Sequence, residues 1–215
     1  MHWQIGEVRI TRVQELEAGG IQFILPDATP GNLQEIGWLA PDFVDDRGEA
    51  LASVHALVIE TPEQRIVVDT CVGNDKQRSV PTWNELQTRF LDDFREAGFE
   101  PESIDAVVCT HLHIDHVGWN TRLVDGRWQP TFPNARYLIG RAEWAHWNTD
   151  PDPESQVILG DSVRPVIEAG LVDWVESDHR LGPEVSLEPT PGHTPGHVSV
   201  RIASQGAEAV ITGDL

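Results

Sequence analysis

The chain is predicted to fold as one α/β (α+β) domain over residues 1–215, and three observations carry the prediction. Apolar runs of strand length alternate with stretches of helical periodicity. Potential metal ligands recur directly after apolar runs, where open α/β sheets gather their ligands. At 215 residues the chain is long enough to bury most of its apolar surface around a single core, without a linker or second domain.

The first strand is expected over 4–14, where Ile5, Val8, Ile10 and Val13 partly alternate with polar residues. It should turn at Gly19-Gly20 into a partner at 21–25. Pro, Gly, Asn and Asp then dominate 26–48, which reads as a functional loop. Its Ile36, Trp38, Leu39 and Phe43 either wall a pocket or bury against a second subunit. Strands are expected at 51–60 and 65–70 around the turn 61–64, the second ending in Val67-Val68-Asp69-Thr70. An unpaired buried carboxylate is costly, so Asp69 either caps the following loop or orients a ligand or a bound water.

Leu86, Phe90, Leu91, Phe94 and Ala97 share one face of a helix predicted over 84–97, stopped by Gly98. A buried strand at 104–109 leads into the richest stretch of the chain. A strand at 136–139 and a helix at 141–147 follow, then a helix at 154–169 that Pro165 kinks or divides. Short strands are expected at 171–175, 185–188, 198–203 and 208–212.

Composition narrows the partners. Fifteen Lys and Arg against 35 Asp and Glu give a formal charge of -20, which repels nucleic-acid phosphates and anionic membranes. A small-molecule substrate is expected instead, with a second copy in a homodimer as the one macromolecular partner. The N-terminus lacks the basic flank and apolar core of a signal peptide, and no 18-residue apolar run occurs, so a soluble, cytoplasmic protein is expected. Cys71 and Cys109 are too few for a disulfide framework or a multi-Cys zinc site and read as two small buried residues, with one bridge between them left open.

His111, His113, Asp115 and His116 lie within six residues after the 104–109 run. His111 and His113 are two apart and share a face while the chain is extended; Asp115 and His116 come once it has turned. That arrangement suits two ions better than one. Further on, Pro189-Thr190-Pro191-Gly192-His193-Thr194-Pro195-Gly196-His197 is a rigid turn in which prolines fix φ and glycines permit unusual backbone, so the direction of its His residues is specified. With Asp69 and Asp214 these groups are what a two-metal hydrolase needs. Nitrogen and oxygen donors suit two divalent ions, zinc first, with manganese, iron or cobalt as alternatives.

The Val-Val-Asp-Thr segment, the His-x-His-x-Asp-His run, the Pro-Gly-His-Thr-Pro-Gly-His turn and Thr-Gly-Asp at 212–214 together resemble the metallo-β-lactamase fold superfamily, nearest its lactonase and organophosphate (methyl parathion) hydrolase-like branch. The resemblance implies an αββα four-layer sandwich. It implies that His111, His113 and His193 hold one metal, Asp115 and His116 a second, and that Asp214 bridges both. Asp69 becomes a support for the ligands, and His197 a structural or supporting group. The family supplies a further His from beyond Asp214, whereas this sequence ends at Leu215; the resemblance implies a fold truncated after the Gly-Asp motif, and either a fragment or a weakened second site. Cys71 stands where many members have Gly. Trp119 replaces a Gly usual in thioester-hydrolysing glyoxalase II members, and Asp214 stands where many β-lactamases have Cys.

The reaction expected is metal-dependent hydrolysis of a lactone, ester or related bond by a hydroxide bridging two ions, with Asp115 or metal-bound water passing the proton to the leaving group and Asp69 supporting the centre. Phosphotriester or thioester hydrolysis is the alternative within the fold, and a non-enzymatic metal- or ligand-binding regulatory module the alternative outside it. Trp38, Phe43, Trp119 and Trp144 are candidates for the pocket wall. His2, His55, His146 and His179 read as surface or core residues.

Overall fold

The computed structural model describes residues 1–19, 22 and 24–215. The N-terminal strand is a hairpin: β1 (His2–Ile5) turns at Gly6-Glu7 into β2 (Val8–Gly19). The strand expected over 4–14 is therefore broken at Gly6, which takes a φ of 58° and lies so close to Ser204 that a Cβ would overlap its carbonyl oxygen. The partner expected at 21–25 falls partly on residues 20, 21 and 23, outside the described residues; Ile24 and Leu25 are not in a strand. The loop that follows contains α1 (Pro30–Gln34), capped by the Thr29 side chain.

β3 (Leu51–Glu60) pairs antiparallel with β2 along its length, across a bulge at Glu15, and with β4 (Arg65–Val68). Next come α2 (Phe90–Glu96) and β5 (Ala106–Val108). The helix expected over 84–97 begins six residues late for a tertiary reason. Backbone bonds from Asp75 to Leu86 and from Glu85 to Lys76, with Asn74 holding both backbone groups of Thr88, pin 84–88 against 74–76. Its end is as expected: Gly98 has a φ of 98°, and Phe99 donates back to the Phe94 carbonyl.

A hairpin missing from the sequence expectations, β6 (Thr121–Val124) and β7 (Arg127–Pro130), turns on Asp125-Gly126. Both turn residues have positive φ, 51° and 74°, the signature of an Asp-Gly hairpin. β8 (Arg136–Gly140) and α3 (Arg141–Trp147) follow as predicted. The long helix divides into α4 (Pro153–Ile158), a π turn at Leu159–Val163 and α5 (Arg164–Glu168). The break thus precedes Pro165, which sits in the first turn of α5, where its missing N–H costs nothing. β9 (Val172–Val175), β10 (Val185–Pro189), β11 (Val198–Ser204) and β12 (Ala207–Ile211) complete the chain.

Seven strands form one sheet in the order β1-β2-β3-β4-β5-β8-β9, parallel from β4 onward, and β10-β11-β12 form a second, antiparallel sheet. The central strands bury both faces. Val67, Val107, Tyr137 and Ile139 meet Phe90, Phe94 and Val166 of the helical layer. Ile66, Val68, Val108 and Leu138 meet Val185, Leu187, Val200 and Ile202 of the small sheet. Double burial is why these strands read as continuous apolar runs, each buried Val, Leu or Ile contributing about 1.5–3 kcal/mol. Of the four layers expected, the described residues supply three: helices, large sheet and small sheet. No helix among them is long and apolar enough to cross a membrane.

Candidate metal centre

The site lies where the parallel strands end. Beyond β4 the backbone takes the left-handed conformation twice, with φ of 56° at Asp69 and 55° at Cys71. The second value explains the Cys71 position, because this is a conformation Gly adopts without strain. Asp69 still donates to the Val108 carbonyl, so its carboxylate is delivered beside the loop that leaves β5. That loop folds back on the Cys71 turn through Gly118, whose N–H donates to the Cys71 carbonyl at 2.7 Å. A Cβ on Gly118 would lie 1.8 Å from the Val72 carbonyl oxygen, so no other residue fits there.

Four donor atoms converge: His111 Nε2, His113 Nδ1, His193 Nε2 and Asp214, all within 4.8 Å of one another. His113 Nδ1 is 3.0 Å from His111 Nε2 and 2.8 Å from His193 Nε2; Asp214 Oδ2 is 3.4 Å from His193 Nε2 and 3.8 Å from His111 Nε2. One ring hydrogen on His113 serves only one of its two neighbours. A tetrahedral zinc site with Zn–N distances near 2.0–2.1 Å has donor–donor edges of about 3.3 Å, the middle of the observed range. The donor set therefore fits a divalent ion. On the other side of Asp214, Oδ1 is 3.3 Å from His116 Nε2, which is 3.7 Å from Asp115 Oδ2. One carboxylate thus faces two donor sets, and all six predicted ligands are brought together.

Behind the donors, a hydrogen-bond network fixes which ring nitrogens are free. Asp69 accepts from the Thr110 N–H and hydroxyl, each at 2.8 Å, and from His116 Nδ1–H at 2.9 Å. The Thr110 oxygen in turn accepts from His111 Nδ1–H at 3.1 Å. Both rings therefore turn their Nε2 atoms toward the centre, with Asp69 hydrogen-bonded behind them. His197 accepts the Asp214 N–H at Nε2 and bonds Thr190 through Nδ1, which places the Asp214 backbone. Gly213, with a φ of 58°, passes so close to His197 that a Cβ would lie 2.7 Å from its Nε2.

Electrostatics divide the imidazoles, disfavouring a proton on His111 and His113 and favouring one on His116. Burial first, then His116, holds His111 far below the usual range, and burial with His193 holds His113 at about 4. Burial would lower His116 too, but the Asp69 and Asp115 carboxylates outweigh it and raise its affinity for a proton. Burial raises Asp115. It acts in the same direction on Asp214, where the His116 hydrogen bond and the other imidazoles prevail and lower the value.

A cavity of about 450 Å³ opens beside Asp115, His116 and Asp214, walled by Trp3, Leu57, Val68 and Ile211. None of the four expected wall aromatics lines it. Trp119 is buried in the core, stacked on Phe90 with its indole N–H on Glu15, and Trp144 packs on Trp174. Trp38 and Phe43 meet each other in the 26–48 loop and are 72% and 52% exposed. His55, read from sequence as a surface or core residue, lines the cavity, its Nδ1 held by the Ser53 carbonyl. Trp147 lies edge-on to His113, ring centres 5.0 Å apart. A single His on an alternating strand gives no signal for the first role; the second needs the position of α3. Both cysteines are buried free thiols.

Residues 51–215 match the family model described as the metallo-beta-lactamase superfamily. An N-acyl homoserine lactonase of Bacillus sp. is 28% identical over 171 residues, covering 74% of this chain and 61% of the relative. The chain thus spans about three-fifths of the length of such relatives. A probable metal-dependent hydrolase from Staphylococcus aureus superposes with a TM-score of 0.76 at 21% identity, covering 99% of this chain and 74% of that one. A dizinc quorum-quenching lactonase solved with N-hexanoyl-homoserine product gives 0.73 at 21% identity, covering 98% and 72%. At that identity the two solved structures speak for the fold.

Proposed function

Because this chain belongs to the metallo-β-lactamase superfamily, we propose that it is a dinuclear metal-dependent hydrolase that opens a lactone or cleaves a related ester. The observation that carries the proposal is the division of six donors into two sets that share Asp214. His111, His113, His193 and Asp214 would hold one divalent ion; Asp115, His116 and Asp214 a second, zinc being favoured at both by the nitrogen and oxygen donors. Two bound ions supply a nucleophile at neutral pH by lowering the pKa of water and stabilise negative charge on the substrate oxygen.

The chain's own residues do the rest. Asp69 and Thr110 orient the ligand rings, and the apolar cavity takes the hydrocarbon part of the substrate and excludes water from the reacting end. Asp115 lines the cavity beside His116 and Asp214, where it is placed to pass a proton to the leaving group. A lactone substrate is favoured by the N-acyl homoserine lactonase relatives.

The test is a substrate panel of acyl lactones, aryl esters, phosphotriesters and β-lactams on zinc-loaded protein, with metal content measured alongside. Lactones or aryl esters should lead, and His113→Ala should abolish both turnover and metal at the first set. A penicillin or cephalosporin as the best substrate would overturn the substrate class. Two bound ions with no turnover of any member would favour the regulatory module instead.

A further inference from the structure

Glu143 is a buried charge that the reaction does not use. It lies in the first turn of α3, 1% exposed, and its two oxygens reach four groups. Oε1 accepts from the Leu112 N–H at 3.1 Å and the Trp147 indole N–H at 2.6 Å. Oε2 accepts from the Thr194 hydroxyl at 2.8 Å and the Gly196 N–H at 3.0 Å. Leu112 lies between His111 and His113, while Thr194 follows His193, so one carboxylate holds two loops that are 80 residues apart and leave different sheets. The contact is close: a Cβ on Gly196 would lie 2.3 Å from the Glu143 backbone nitrogen. Trp147, the fourth partner, is the ring that packs on His113.

All four partners donate. An ionised carboxylate accepts at both oxygens and donates nowhere, whereas an amide would turn an NH₂ group against one pair of donors. We propose that Glu143 is the positioning residue that sets the spacing of His113 and His193, and so assembles the first donor set from the two sheets. The proposal rests on the ligand assignment above but concerns a residue outside it. Glu143 touches no donor atom and acts through the two loops.

The experiment compares zinc affinity, by chelator competition, and the visible absorption of the Co(II) form in the wild-type chain, Glu143→Gln and Thr194→Val, with circular dichroism as the check on folding. Glu143→Gln should stay folded but bind the first ion about 10–100-fold more weakly, the range seen when the partners of metal ligands are removed, with an altered cobalt spectrum. A variant with wild-type affinity and spectrum would overturn the proposal. If Glu143→Gln does not fold, Thr194→Val decides: it removes one donor of four and should weaken the first ion roughly three- to tenfold, while unchanged affinity would overturn the proposal. A wild-type chain that binds neither zinc nor cobalt would instead sink the ligand assignment itself.

Discussion

Replacing Asp69 by Asn keeps the shape and removes one acceptor and the charge. With its oxygen in the place of Oδ2, the amide still serves Thr110 and His116 but sets its NH₂ against the Thr110 N–H. Flipped, it sets the NH₂ against His116 Nδ1, drives the ring hydrogen to Nε2 and removes the lone pair that faces Asp115 and Asp214. Either way a buried donor loses its partner, at about 1–3 kcal/mol, and the remaining bonds lose their charge assistance, so a total near 2–4 kcal/mol is expected. For a chain of this size that is a fall of roughly 5–15 °C in Tm. Metal affinity should fall about 10–100-fold at the second set, where the contact is direct, and less at the first, which is reached only through the Thr110 hydroxyl. Thr110→Val should reverse that order. The pH response follows from His116, whose folded value is raised. Its pairing stabilises metal-free protein fully below 6.5 and is lost as pH rises through the folded value. A proton must also leave for an ion to bind there, so second-site affinity should climb with pH and climb less in the Asn variant. Calorimetry and chelator competition at several pH values measure all of this. Equal losses at both sets, or an unchanged second set, would refute the network argument.

Three further outcomes are expected. Lys76, buried under Trp128 and against Asp161, is lowered from 10.5 to about 7, chiefly by burial. Between those values the unfolded chain holds a proton that the folded one has released, so stability rises with pH across that window and the charged amine costs most below it. Lys76→Met should therefore exceed the wild type in Tm at pH 6, by an advantage that shrinks toward pH 9; a pH-independent difference would contradict this. Gly118→Ala should lose more than about 4 kcal/mol, as its Cβ meets rigid backbone, and a Tm within 2 °C of wild type would show that the turn can yield. Burial raises both thiols, Cys109 to about 12, so iodoacetamide at pH 8 should label neither cysteine in folded protein and both in urea, by intact mass.

Elements defended by local chemistry are legible in the residues themselves. β3 spans 51–60 and α3 spans 141–147 as expected, because alternation in the first and periodicity in the second coincide with what each segment buries. The start of α2 is not legible, since hydrogen bonds to residues 74–76 outbid its helical pattern. The hairpin at Asp125-Gly126 carries its signal openly in that dipeptide, although its short flanking strands alternate too briefly to stand out. The aromatics mislead for a related reason: a Trp reads alike whether it walls a cavity or, like Trp119, fills the core.

At the centre the division is sharper. Chemical identity is local, so the residue order suffices for the ligand types, their clustering at 111–116, the rigid turn around His193 and the strand-end position of Asp69 and Asp214. Distance is not local. Only the packing of the two sheets makes His113 and His193 meet at 2.8 Å, turns one oxygen of Asp214 to each donor set, and puts His55 rather than Trp119 beside the cavity. Those facts depend on how residues far apart in the chain share one buried volume, and a carboxylate such as Glu143, silent in the sequence, takes its meaning from the four donors that folding brings to it.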